Sequence, residues 1–220
     1  MRAVIFANGR FAGTARERAL VGSDDLLIAA DGGARSCLAL GLTPHVVVGD
    51  FDSLKPKERE ALQQAGAQMI AHPARKDHTD LELALLHALQ QGATDCLILG
   101  GLGQRWDQTL ANLLLPANPA FTKVRITLID GYQDVHLLTS GGTLTIDGKP
   151  GDILSLIPLS ENADGVRTEG LEYPLRDEAL TFGSTRGVSN SLLGQQALIH
   201  LQKGLLLCVH IHGPSRLEES

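Results

Sequence analysis

Short apolar runs alternate with helix-patterned segments from the N-terminus to Gly131. RAVIFANG and LLIAA (26–30) predict two strands, and Asp31-Gly32-Gly33 opens a helical stretch that stops before Gly41. HVVVGDF predicts a third strand. KPKEREALQQAG predicts a helix, with Pro56 near its start, where a missing N–H costs nothing, and Gly66 just past its end. AQMIAHP is a fourth strand. In TDLELALLHALQQG, Thr79 and Glu82 stand at capping-box spacing and Gly92 closes the helix. DCLILGG, WDQTLANLLL and KVRITLIDG follow as strand, helix and strand. Strands that are apolar almost throughout, separated by helices, imply a mostly parallel sheet covered on both faces. That is an α/β arrangement.

The rhythm changes after Gly131. DVHLLTSGGTLTIDG reads as two strands around Gly141-Gly142, and DILSLIPL, GVRTEGLEYPL, EALTFGSTRGVSN and QALIHLQKGLLLCVHI continue as short strands with Gly-marked turns. Helical periodicity is weak throughout this part. The expected organisation is therefore an α/β domain over 1–131 and an all-β domain over 132–220.

Composition narrows the function classes. The 220 residues are 43% hydrophobic and 20% charged, as in an ordinary globular protein. The formal net charge is −6 and no Lys/Arg run forms a stripe, which argues against a nucleic-acid partner. Neither MRAVIFANG nor GLLLCVHIHG is long enough for a secretory signal or a membrane span, so no membrane association is expected. Cys37, Cys96 and Cys208 are widely spaced in apolar surroundings without a CxxC, the pattern of reduced core thiols in a cytoplasmic protein.

In open parallel α/β sheets, ligands bind beyond the carboxyl ends of the strands. Acidic residues gather there in this chain. Asp31 follows strand two, Asp50 and Asp52 follow strand three, and Lys76, Asp77, Thr79 and Asp80 follow strand four. Arg105 and Asp107 follow strand five. Any one of these has a structural explanation: Asp50 and Asp52 as turn residues, Thr79 and Asp80 as a helix cap. Four successive loops placing acids on one rim favour a shared cation, and all-oxygen ligands suit Mg²⁺ or Mn²⁺ alongside phosphates. Lys76 and Arg105 are suited to phosphate oxygens, and the helix after KDHTD can direct its N–H groups at an anion. GGLGQR permits close backbone approach, and no GxxxxGK[ST] occurs. His210 and His212 share a strand face, but no acid or cysteine stands at suitable local spacing, so an ordinary strand face is expected rather than a zinc site. Trp106, the only tryptophan, is expected to be buried against the sheet.

DGGA, GDFDSL, KDHTDLELAL, GGLGQRWDQTLAN and STRGVSN, in that order, closely resemble the thiamine pyrophosphokinase family along nearly the whole chain. The resemblance implies a Rossmann-like α/β domain that binds ATP and Mg²⁺, followed by a β-sandwich that binds thiamine and dimerises. It implies a homodimer with active sites built across the subunit contact, and transfer of pyrophosphate from ATP to the thiamine hydroxyl, releasing AMP. Carried over by position, Asp50, Asp52, Asp77 and Asp80 belong to the metal and catalytic set, with Arg105 and Asp107 as further catalytic residues. Asp31, Gly32, Lys76, Thr79 and Gln108 belong to cofactor binding, and Ser189 and Asn190 to the thiamine pocket. Histidine is common in the family where this chain has Gln108, so an acid–base role there is excluded and hydrogen bonding is left. The competing readings are a pyrophosphokinase for a pterin alcohol and a nucleotide-sensing dimer without catalysis.

Overall fold

The chain splits into two compact units, Met1–Gly131 and Tyr132–Ser220, and a computed structural model describes residues 1–75 and 77–213. Among the described residues, the first unit carries six strands: β1 (Arg2–Phe6), β2 (Leu26–Ala30), β3 (Val46–Gly49), β4 (Gln68–Ala71), β5 (Asp95–Leu99) and β6 (Arg125–Asp130). They run parallel in the order β6-β5-β1-β2-β3-β4. Ala3, Val4, Ile5 and Phe6 are all fully buried although successive side chains point to opposite faces, so both faces of β1 are covered.

The helices are α1 (Ala15–Leu20), α2 (Ala34–Ala39), α3 (Pro56–Gln64), α4 (Asp80–Gln90) and α5 (Trp106–Leu114). Pro56 occupies the first position of α3, and Gly66 and Gly92, at φ 92° and 85°, follow the C-caps of α3 and α4. The expected capping box of α4 forms by half. The Thr79 hydroxyl accepts the Glu82 N–H at 3.2 Å, but the Glu82 carboxylate turns to the Asn118 amide and to His78, each at 3.2 Å. A complete capping box stands on α1, between Thr14 and Glu17. No helix among the described residues is long and apolar enough to cross a membrane.

The second unit has no helix among its described residues. Its strands are β7 (Gln133–Thr139), β8 (Thr143–Asp147), β9 (Ile153–Pro158), β10 (Asn162–Glu169), β11 (Arg176–Thr181), β12 (Asn190–Ser191), β13 (Gln196–His200) and β14 (Leu205–Ile211). They form two antiparallel layers, β12-β9-β14-β7 and β11-β10-β13-β8. Leu154, Leu156 and Leu206 from one layer share a buried cluster with Ile146, Leu180 and Ile199 from the other. This is a β-sandwich. The strands flanking Gly141-Gly142 do not pair with each other: β7 lies beside β14 and β8 beside β13. The chain changes layer at these glycines, where Gly141 has φ 76° and a Cβ on Gly142 would come within 2.8 Å of the Thr139 carbonyl oxygen.

Candidate active site

Going outward along the first unit's sheet, the strand order reverses between β1 and β5, which makes the carboxyl ends of these strands a topological switch point. An open cleft of about 440 Å³ lies there. It is lined from the end of β1 by Asn8 and Gly9, from β2 by Asp31, and from β3 by Asp50, Asp52 and Ser53. Thr79 and Asp80 line it from the start of α4, and Gly100, Gly101, Gly103, Gln104, Arg105 and Gln108 contribute from beyond β5.

Three carboxylates converge in this cleft. Asp31, Asp50 and Asp52 each offer an oxygen, and these lie within 4.8 Å of one another. Asp31 is only 4% exposed, yet its Oδ1 has no hydrogen-bond partner among the described residues. An orphaned buried carboxylate oxygen is costly unless a cation or ligand completes it. Asp80 belongs to the same wall: a Cβ added at Gly49 would stand 3.0 Å from Asp80 Oδ1 and 3.1 Å from Asp31 Cβ.

The backbone around these acids is held in place. Asp31, Phe51 and Gln104 have positive φ, at 46°, 63° and 63°, a conformation that costs free energy in non-glycine residues and is retained where surroundings enforce it. The Asp52 N–H donates to Asp50 Oδ1 at 3.1 Å, closing the turn, and Ser53 Oγ donates to Asp52 Oδ1 at 3.2 Å. Two arginines hold the turn's carbonyls. Arg59 of α3 donates to the Phe51 oxygen and, at 3.0 Å, to that of Leu54, while Arg35 of α2 donates to the Ser53 oxygen. Arg35 also grips Glu58 at 2.8 Å; this bond and the Lys55 N–H hold the Glu58 carboxyl down to about 2. The paired acids that end β3 therefore form an anchored turn that also faces the cleft.

On the opposite wall, Arg105 lines the cleft and Asp107 does not. Asp107 instead receives the Arg105 guanidinium through Nε, at 3.1 Å, and Nη2. That bond lowers the Asp107 carboxyl below its usual range and raises Arg105 above its own. Gln108 and Thr79 line the cleft. Gly32 packs behind it, since an added Cβ would meet Asn8 Oδ1 at 2.2 Å. Asp77 is exposed, in the bend ahead of the α4 cap, and neither lines the cleft nor joins the three converging carboxylates. Lys76 lies outside the described residues. Trp106 is 86% exposed rather than buried, because it opens α5 on the face turned from the sheet, with exposed Leu110 one turn on.

In the second unit, Ser189 is exposed at φ 62°, and its N–H donates to Ser155 Oγ at 3.0 Å. The Asn190 side chain is committed to backbone: it accepts the Tyr173 N–H at 3.1 Å and donates to the Tyr173 carbonyl at 2.8 Å.

Several cleft residues carry little signal in the sequence. Asn8 donates to Ser53 Oγ at 3.0 Å, joining the ends of β1 and β3. Gly9 donates to the Gly100 carbonyl at 2.9 Å, and a Cβ on Gly9 would stand 2.4 Å from that oxygen. Buried Asn112 of α5 donates to the Gly101 carbonyl at 2.6 Å and fixes the glycine loop. The Asn-Gly pair one residue past β1 is the available clue, because it occupies the same rim as the acids.

Comparison with known proteins adds to this geometry. A family model for the catalytic domain of thiamin pyrophosphokinase matches residues 18–128, and one for the vitamin B1 binding domain of thiamin pyrophosphokinase matches residues 143–206. A thiamine pyrophosphokinase of Bacillus subtilis is 32% identical over 184 residues, 84% of this chain and 86% of that protein. The crystal structure of thiamine pyrophosphokinase from Bacillus subtilis superposes with a TM-score of 0.84 at 28% identity, covering 96% of this chain and 99% of that one. That of the Geobacillus thermodenitrificans thiamin pyrophosphokinase gives 0.82 at 28% identity, covering 98% and 99%.

Proposed function

This chain belongs to the thiamin pyrophosphokinase family, and from that membership we propose that it transfers the diphosphate group of ATP to the hydroxyl of thiamine, giving thiamine diphosphate and AMP. The observation that carries the site assignment is the convergence of Asp31, Asp50 and Asp52, with Asp31 Oδ1 orphaned, inside the segment matched by the catalytic-domain model. These three carboxylates are the proposed holders of Mg²⁺, with Asp80 beside them. All-oxygen donors fit that ion. When bound, it supplies charge neutralisation to the polyphosphate.

The rest of the work is done by the chain's own groups. Gly9, Gly100, Gly101 and Gly103 let a polyphosphate lie close to the backbone. Thr79, Asp80 and Leu81 put the start of α4 in the cleft, where helix N–H groups favour an anion. Arg105 binds phosphate oxygens while Asp107, holding Nε and Nη2, acts as its positioning residue. Lys76 is a further proposed phosphate contact. Asp77 enters the proposal only as a flanking acid. The catalysis proposed is positioning plus charge stabilisation, with a cleft carboxylate accepting the hydroxyl proton.

Thiamine binding is proposed for the second unit. Ser189 is the stronger candidate contact of the pair, because the Asn190 amide is already engaged in holding Tyr173. A homodimer is part of the same proposal, and exposed Trp106 and Leu110 are apolar surface available to such a contact. A cytoplasmic setting is supported by three free, buried cysteines whose thiols burial pushes up to about 12, leaving them inert as nucleophiles.

Incubation with thiamine, ATP and Mg²⁺ is expected to yield thiamine diphosphate and AMP one to one. ADP as the stoichiometric product would show transfer of a single phosphoryl group and overturn the proposal. Gln108→His is expected to keep turnover near that of the parent, because the side chain is exposed at the start of α5 and its role is limited to hydrogen bonding. A loss beyond about a hundredfold, near 2.7 kcal/mol of barrier, would give the amide a specific catalytic task.

A further inference from the structure

The second unit contains a cluster whose members are far apart in the chain. His210 of β14 is 1% exposed, and its Nε2 lies 3.0 Å from Asp152 Oδ2. Asp152 is itself fixed by the N–H groups of Lys149, at 2.9 Å, and Gly213, at 2.8 Å. His212 places Nε2 2.6 Å from Asp134 Oδ2 of β7, and the two imidazole rings stand 4.0 Å apart. One donor atom from each of Asp134, His210 and His212 lies within 4.8 Å of the others. The acids absent from the local sequence are thus supplied by β7 and by the turn before β9.

We propose that Asp134, His210 and His212 form a second metal site, for a borderline divalent cation of the Zn²⁺ type. Two imidazoles and one carboxylate are the donor set such ions prefer, whereas Mg²⁺ favours oxygen alone. The pairing of Asp152 with His210 Nε2 supplies what metal-binding histidines usually have, a carboxylate that fixes the ring and leaves the other nitrogen as ligand. The His212–Asp134 contact opens from hydrogen-bond length to the spacing of tetrahedral ligands, roughly 3.3 Å for bonds of about 2.0 Å. Three protein ligands leave a fourth position for water. The bound ion ties the end of β14 to β7, so its role is to stabilise the second unit.

Cobalt(II) is a spectroscopic substitute for zinc and tests the assignment without reference to turnover. Tag-free, metal-stripped protein carrying Asp31→Asn and Asp52→Asn, which weaken the oxygen-only site, is titrated with Co²⁺. The expected result is an intense visible ligand-field band saturating at one ion per chain. Zn²⁺ should abolish it and excess Mg²⁺ should leave it. The band should be lost in His212→Gln and in Asp134→Asn added separately, each checked for folding by circular dichroism. Zn²⁺ should also raise the thermal midpoint of the parent but not of the folded His212→Gln variant. No band, or a band that survives both folded variants, overturns the site and leaves the cluster as a hydrogen-bonded clamp.

Discussion

Asp31→Asn and Asp52→Asn each lower turnover at limiting Mg²⁺ by about a hundredfold or more, near 2.7 kcal/mol of barrier, while the protein stays folded. The two substitutions probe the same centre from different surroundings. Asp31 is buried with an orphaned oxygen, whereas Asp52 is exposed and accepts from Ser53. Asparagine is close in volume to aspartate and tolerates the positive φ of Asp31, so the backbone has no reason to move. Removing one of three crowded carboxylates relieves repulsion, and stability without metal is expected to hold or rise. Raising Mg²⁺ should recover part of the lost turnover if weakened metal affinity is the cause. A purely turn-forming role predicts the opposite pattern, with turnover kept and some stability lost. Folded variants with unchanged turnover and unchanged Mg²⁺ dependence would remove these residues from the metal assignment.

The rim of acids was legible because strand ends are legible. Apolar runs mark β2, β3 and β5, and whatever polar residue follows such a run in a parallel sheet falls on one edge. The end of β1 escaped this logic, since Asn8 and Gly9 carry no charge, and their partners Ser53 and Gly100 are distant in sequence. α1 was missed because its six residues are too short for periodicity to register, although Thr14 and Glu17 stand at capping-box spacing. Strand patterning also identifies an element without naming its neighbour, so nothing announced that β7 and β8 would join different layers. The same limit hid Asp134 and Asp152 from His212 and His210, 78 and 58 residues away. Trp106 was misplaced by composition: a large aromatic ring is expected inside, but its position on α5 faces outward.

Gly33→Ala is expected to destabilise the protein by about 3 kcal/mol or more and to abolish most activity with it. The cause is space rather than backbone conformation, because Gly33 has an ordinary φ of −57°. An added Cβ would lie 1.9 Å from the Phe6 carbonyl oxygen, 2.6 Å from its carbon and 3.0 Å from the Ala7 carbonyl carbon. All three are backbone atoms at the buried end of β1, so no side chain can rotate away. The turn 31–33 has to move as a unit, carrying Asp31 away from Asp50 and Asp52, and catalytic geometry is sensitive to displacements of about 1 Å. Gly66→Ala is the control. Its φ of 92° disfavours alanine, but nothing lies within 4 Å of the added Cβ, and the expected cost is only about 1–2 kcal/mol with activity retained. Urea unfolding of the two variants beside the parent measures both costs. Equal costs would mean that the Asp31 turn has slack against β1, and the preorganised position of Asp31 would then lose its structural basis.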